Sequence, residues 1–175
     1  VGWHTIHVME NVRPDKAMRL AAMLHDIGKP VVKRSDKKDH SHFQGHPQMS
    51  DVMADRILRR LKYDNDTIHK VRMLVRYHDE RPVLNDITVR RCMNEMDLDF
   101  ADLFELKRAD TLAQSTYMRE EKLAYIDTFE KLYNANLNQC TDKKLLAVNG
   151  GDLIQAGIEK GPQMGRVIDR LLEDV

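Results

Sequence analysis

Residues 24–30 read LHDIGKP, and this stretch constrains the chain more than any other. It closes an apolar run supplied by Met18, Leu20, Ala21, Met23 and Leu24, which Gly28 and Pro30 then break. A histidine and an aspartate at the end of such a run are headed for the interior. There an imidazole beside a carboxylate is costly unless positive charge lies between them. A metal ion supplies that charge, and it obliges the fold to bring further ligands to the same point from distant segments.

The remaining periodicity is helical. Pro47 suits a helix start ahead of Val52, Met53, Ile57, Leu58 and Leu61. Asp64 or Asp66 caps a helix whose apolar face is Ile68, Val71, Leu74 and Val75, running up to Tyr77-His78-Asp79. Further helices are expected over 87–96, 100–113 and 118–137. The polar segment 33–40 reads as an exposed loop. The glycine-rich tail ends in an amphipathic helix carrying Met164, Val167, Ile168, Leu171 and Leu172. No strand-length alternation competes, so the expected class is all-α.

Composition narrows the function. Lys+Arg and Asp+Glu balance at 28 each, which leaves no global field steering the molecule toward nucleic acid, only local basic stretches such as RILRRLK. Cys92 and Cys140 lie far apart and read as unpaired thiols of a reducing cytoplasm. No apolar run approaches the ~20 residues that span a bilayer, and no signal peptide is visible. A cytoplasmic protein without membrane partners is expected. The chain begins with Val rather than Met, and an upstream segment is expected.

All eight histidines lie in the first 78 residues. The informative set is His4, His25-Asp26, His46, His78 and, later, Asp110 in LKRADTLAQ. Imidazoles mixed with carboxylates suit one or two divalent ions, and Mn, Fe, Ni, Co, Mg and Zn are all compatible. Such ions activate water at neutral pH and polarise phosphoryl oxygens. His7, His40 and His69 read as ordinary histidines, and His42 stays open. The order H…HD…H…H…D is specific because separate segments must agree. Lys29 is a point charge within reach of a phosphate. Arg108 is a second substrate-binding candidate, although helix geometry sets residues this close to Asp110 on different sides.

On these residues the chain resembles the HD superfamily of metal-dependent phosphohydrolases, and within it the HD region of bacterial tRNA nucleotidyltransferases (CCA-adding enzymes). VGWHT is similar to the opening histidine motif, LAAMLHDIGKP to the HD motif, and HFQGHPQMSDVMADRILRRLK to the segment after it. LVRYHDE and VRRCMNEMDLDFADLFELKRADTLAQ resemble the stretches bearing the last histidine and aspartate. NGGDLIQAGIEKGPQMGRVIDRLLEDV is similar to the helical segment that follows in those enzymes. The resemblance implies an HD-type helical bundle over 1–117 and a helical C-terminal extension over 118–175. It also implies that His4, His25, Asp26 and Asp110 hold one metal, with His46 and His78 completing a second site bridged by Asp26. The nucleotidyltransferase head, with its paired carboxylates on a sheet, is not within these residues.

Two functions follow. The first is a phosphohydrolase acting on a nucleotide or RNA-end phosphate ester through metal-bound hydroxide, with Asp26, Lys29, His46 and His78 at the reacting centre. The activities to test are those on 2′,3′-cyclic phosphodiesters, 2′-nucleotides and phosphomonoesters. The alternative is a non-catalytic tRNA-binding body of a tRNA nucleotidyltransferase.

Overall fold

The computed structural model describes residues 2–35, 41–137 and 148–174, so His40 and Cys140 lie outside the described residues. The all-α expectation is met. Helix α1 (Gly2–Asn11) is followed by α2 (Lys16–Leu24), the short α3 (Lys29–Val32), and a two-residue ladder of β1 (Arg34–Ser35) and β2 (Ser41–His42). Then come α4 (His46–Arg60), α5 (Asn65–Tyr77), α6 (Asp86–Glu95), α7 (Phe100–Ala113) and α8 (Arg119–Asn136). The tail forms α9 (Gly150–Gln155) and α10 (Pro162–Asp174).

The chain's own cap chemistry sets the boundaries. Asp15, Asp64, Asn85 and Asp99 each accept a backbone N–H from the first turn of α2, α5, α6 and α7. Asn149 and Asp152 form a reciprocal capping box on α9. Gly45 takes a left-handed φ of 80° to turn the chain into α4, a conformation that favours glycine. Pro30 does not end a helix; it sits in the first turn of α3, where its missing N–H costs nothing. Sequence reading missed α1, the short α3, and the ladder in which Arg34 pairs with His42 and Ser35 with Ser41. Strands of two residues are too short to show an alternating pattern.

The chain divides into two compact units. One comprises Val1–Arg81 with Leu98–Asp127, the other Pro82–Asp97 with Thr128–Val175. In the first, α4 packs on α5, α5 on α2, and α1 on α2 and α7. Its core is built from Met18, Ala21 and Ala22 of α2, Ala54 and Leu58 of α4, Val71, Leu74 and Val75 of α5, and Leu103 and Leu106 of α7. Two buried carboxylates tie these helices together. Asp102 on α7 pairs with Arg13 and with Lys70 at 2.6 Å. Asp51 on α4 pairs with Arg72 at 2.6 Å and Arg76 at 3.2 Å on α5. Each carboxylate is held by two cations, and losing both would leave a charge buried without a partner, which is costly. In the second unit Val89, Phe129 and Leu153 are buried, and the Asn136 amide donates to Asp86 at 2.9 Å.

The turn after Asp26 lies tight against the start of α4. The Gly28 N–H donates to Ser50 Oγ at 2.9 Å. A Cβ on Gly28 would meet the Ser50 nitrogen at 2.7 Å, the His46 carbonyl at 2.8 Å and Met49 Cβ at 2.9 Å. Backbone atoms cannot swing away as a flexible side chain can. Gly28→Ala is therefore expected to lower stability by ~1–3 kcal/mol in urea unfolding, whereas Gly2→Ala, with nothing within 4 Å, changes it by no more than ~0.5 kcal/mol.

Candidate metal centre

Six side chains from five helices or their ends meet at one point of the first unit. His4 projects from α1, His25 caps the end of α2, and Asp26 follows it. His46 opens α4, His78 caps the end of α5, and Asp110 lies on α7. His25, Asp26, His46 and His78 are buried. His4 and Asp110 are only partly exposed, at 21% and 16% of their side chains.

Each imidazole is oriented by its Nδ1. His25 donates to the Ala22 carbonyl at 2.8 Å, His46 to Phe43 at 3.0 Å, His78 to Val75 at 2.7 Å, and His4 to Ala113 at 3.4 Å. For His25 and His78 the acceptors are carbonyls of the last helical turn, which have no partner within the helix. A carbonyl only accepts, so the proton resides on Nδ1, and each Nε2 lone pair is turned to the centre. Outer hydrogen bonds of this kind fix the tautomer of metal-ligating histidines.

The inward atoms form two groups sharing Asp26. His4 Nε2 lies 3.3 Å from His25 Nε2 and 3.0 Å from Asp110 Oδ1. Asp26 Oδ2 faces this group, 3.3 Å from His25 and 3.6 Å from His4. On the other side His46 and His78 bring their Nε2 atoms within 3.3 Å of each other. Asp26 Oδ1 lies 3.4 Å and 3.7 Å from them and, though buried, has no hydrogen-bond partner. Paired lone pairs repel, and a buried carboxylate oxygen without a donor costs free energy. The donor set therefore fits a divalent cation, or two: His4, His25 and Asp110 offer ligand atoms within 4.8 Å of one another, as do His25, Asp26 and His78.

Protons and a lysine otherwise supply the positive charge. Burial opposes a charged His25, but Asp110 and Asp26 outweigh it and hold the imidazole up at about 9. Burial would raise the Asp26 carboxyl, yet His25, His46 and His78 keep it far below the usual carboxylate range. Burial likewise opposes Asp110, which His25 and His4 pull down. His78 goes the other way, its charged form disfavoured chiefly by burial. Lys29 places its ammonium 2.6 Å from Asp26 Oδ2.

Arg108 is not brought to this cluster. It pairs with Asp127 at 2.8 Å, because two residues along a helix turn a side chain to nearly the opposite side from Asp110. His7, His42 and His69 are exposed. One participant was missed in the sequence: Lys107, 6% exposed, donates to the carbonyls of His78 at 2.8 Å and Glu80 at 2.6 Å. It secures the chain that presents His78, and burial lowers its ammonium to about 8. Its place three residues before Asp110, on the buried stripe of α7, was the available signal.

The chain belongs to the tRNA nucleotidyltransferase domain 2 family, which matches residues 41–175. It is similar to the CC-adding tRNA nucleotidyltransferase of Thermus thermophilus, 32% identical over 89% of this chain and 35% of that protein. It is also similar to the A-adding tRNA nucleotidyltransferase of Deinococcus radiodurans, 27% identical over 98% of this chain and 41% of that protein. The chain thus spans little more than a third of the length of these curated relatives.

The charge balance at the centre makes metal-free stability depend on pH. A raised His25 contributes stability that is complete below its ordinary value of 6.5 and is lost as the pH rises through about 9. The lowered carboxylates contribute stability that is complete above 3.8 and is lost as the pH falls toward their lowered values. In chelator-treated protein the urea midpoint is expected to fall between pH 7 and pH 10. Asp110→Asn, which removes the partner that most raises His25, should flatten that fall.

Proposed function

We propose that this chain is the helical body of a tRNA nucleotidyltransferase, the part that holds tRNA while nucleotides are added by another part of the protein. The family match over residues 41–175 carries this reading. The names of both relatives and a local basic face support it. Arg56, Arg59, Arg60 and Lys62 lie at the end of α4, where cations also complement the helix dipole. No helix among the described residues is long and apolar enough to cross a membrane. Binding to unmodified tRNA should be measurable by filter retention at low salt. Arg56→Ala with Arg60→Ala, one turn apart on one face, should reduce the salt slope by about 1 for each arginine that neutralises a phosphate. Folded protein that retains no tRNA even at low salt would remove this reading.

A specific observation favours a second reading of the same chain: four inward Nε2 atoms disposed about the two oxygens of one buried carboxylate. We infer that this is an HD-type divalent-metal site that hydrolyses a phosphate ester of a nucleotide or RNA end. His4, His25, Asp26 and Asp110 would hold one ion, and His46, His78 and Asp26 a second. Bound there, a divalent ion supplies Lewis-acid polarisation and lowers the pKa of water. The chain's own residues do the rest. The Nδ1 bonds to backbone carbonyls keep four rings from rotating, so the donors are preorganised. Lys29, on the rim beside Asp26, carries positive charge toward the phosphoryl oxygens. With Mn, Ni, Co or Mg added in turn, the protein should hydrolyse 2′,3′-cyclic nucleotides, nucleoside monophosphates or an aryl phosphate. His25→Ala and Asp26→Ala should each lower kcat by at least about 100-fold. Turnover unchanged in both variants would assign the activity to a contaminant.

A further inference from the structure

The end of α7 reaches the centre twice. The Ala113 carbonyl accepts from His4 Nδ1 at 3.4 Å. The next residue, Gln114, caps the helix and turns its side chain back to Asp110, one turn earlier on the same face. Its Nε2 donates to Asp110 Oδ2 at 2.8 Å, and its Oε1 accepts from Lys122 Nζ on α8 at 2.7 Å. An ammonium only donates, so the amide oxygen must face Lys122, which leaves the amide NH₂ for the carboxylate. The backbone of Gln114 is held as well. Its N–H donates to the Thr111 carbonyl at 3.3 Å, and its carbonyl accepts from Arg119 at 2.8 Å.

This network sets the two carboxylates of the centre apart. Both oxygens of Asp26 face imidazoles. Asp110 presents Oδ1, 3.0 Å from His4 Nε2 and 3.6 Å from His25 Nε2, while Gln114 occupies its Oδ2. The terminal torsion of an aspartate is broad, so a carboxylate without such a bond turns easily and offers one oxygen or both. We propose that Gln114, oriented by Lys122, is a positioning residue that fixes Asp110 as a one-oxygen ligand of the ion shared with His4 and His25. The proposal rests on the metal-site reading above and concerns two residues that touch neither ion nor substrate. Gln114 acts by ordering the carboxylate before the ion arrives, as hydrogen bonds to ligating carboxylates do. Lys122 acts through the amide, whose dipole it aligns and polarises.

The test reads metal binding rather than turnover. Calorimetric titration with Mn²⁺ would compare the wild-type chain with Gln114→Leu, which removes both side-chain hydrogen bonds at similar volume. The variant should bind Mn²⁺ ~10–100-fold more weakly. Lys122→Met should lose less, and should add no further loss to Gln114→Leu, because the lysine works only through the amide. The visible spectrum of the Co²⁺-loaded protein gives a second readout. Its bands should shift in Gln114→Leu, where Asp110 is free to turn, and in the same direction in Lys122→Met. A residue that merely supports the fold would lower affinity without moving them. Should Gln114→Leu misfold, the half-buried Lys122 position reads the same orientation from outside the centre. Mn²⁺ affinity or Co²⁺ bands that match wild type in the folded variants would overturn the positioning role and leave the metal site standing. A wild-type protein that binds no Mn²⁺ would overturn both.

Discussion

The structure of the first unit turns on one buried carboxylate. Asp26 is 2% exposed, and its two oxygens face different pairs of imidazoles. An isolated carboxylate in that position would cost several kcal/mol, so everything around it is arranged to supply positive charge or donors. Lys29 reaches one oxygen and a proton on His25 serves the same side. The other oxygen has imidazole nitrogens near it but no hydrogen bond. A cation between His46, His78 and Asp26 satisfies all three, which is the physical basis for reading the cluster as a metal site.

Helix ends make this arrangement possible. His25 and His78 sit where α2 and α5 terminate, and each uses a carbonyl of the last turn to fix its ring. The same carbonyls would otherwise need another donor. Lys107 does the same for the next stretch of chain by taking the carbonyls of His78 and Glu80. The Asp51 and Asp102 ion pairs then tie α4 to α5, and α7 to Arg13 and to Lys70 on α5.

Family membership and the centre are separate observations on one chain. The family and its relatives bear on tRNA, and the relatives are longer proteins of which this chain covers little more than a third. The histidine and aspartate cluster offers ligand atoms that fit a divalent cation and lies wholly within the first unit.

Much of the helical order was legible in the sequence. Cap residues and 3.6-residue periodicity are local properties, and they placed α4, α5, α7 and α8 within a residue or two of their observed limits. The His-Asp pair at the end of an apolar run likewise announced a buried charge in need of a partner, and the order of the other ligands named the candidates. What the sequence could not determine was which side chains share a surface. Arg108 and Lys107 are neighbours on α7, yet Arg108 turns to Asp127 and Lys107 turns inward to the carbonyls after α5. Nothing local marked Tyr125 and Met118 as neighbours of the centre; only the packing of the chain after α7 sets them in one cavity with His78 and Asp110. Secondary structure depends on neighbours a few residues apart, whereas a cavity depends on helices far apart in sequence, and only the tertiary fold decides which of their faces meet.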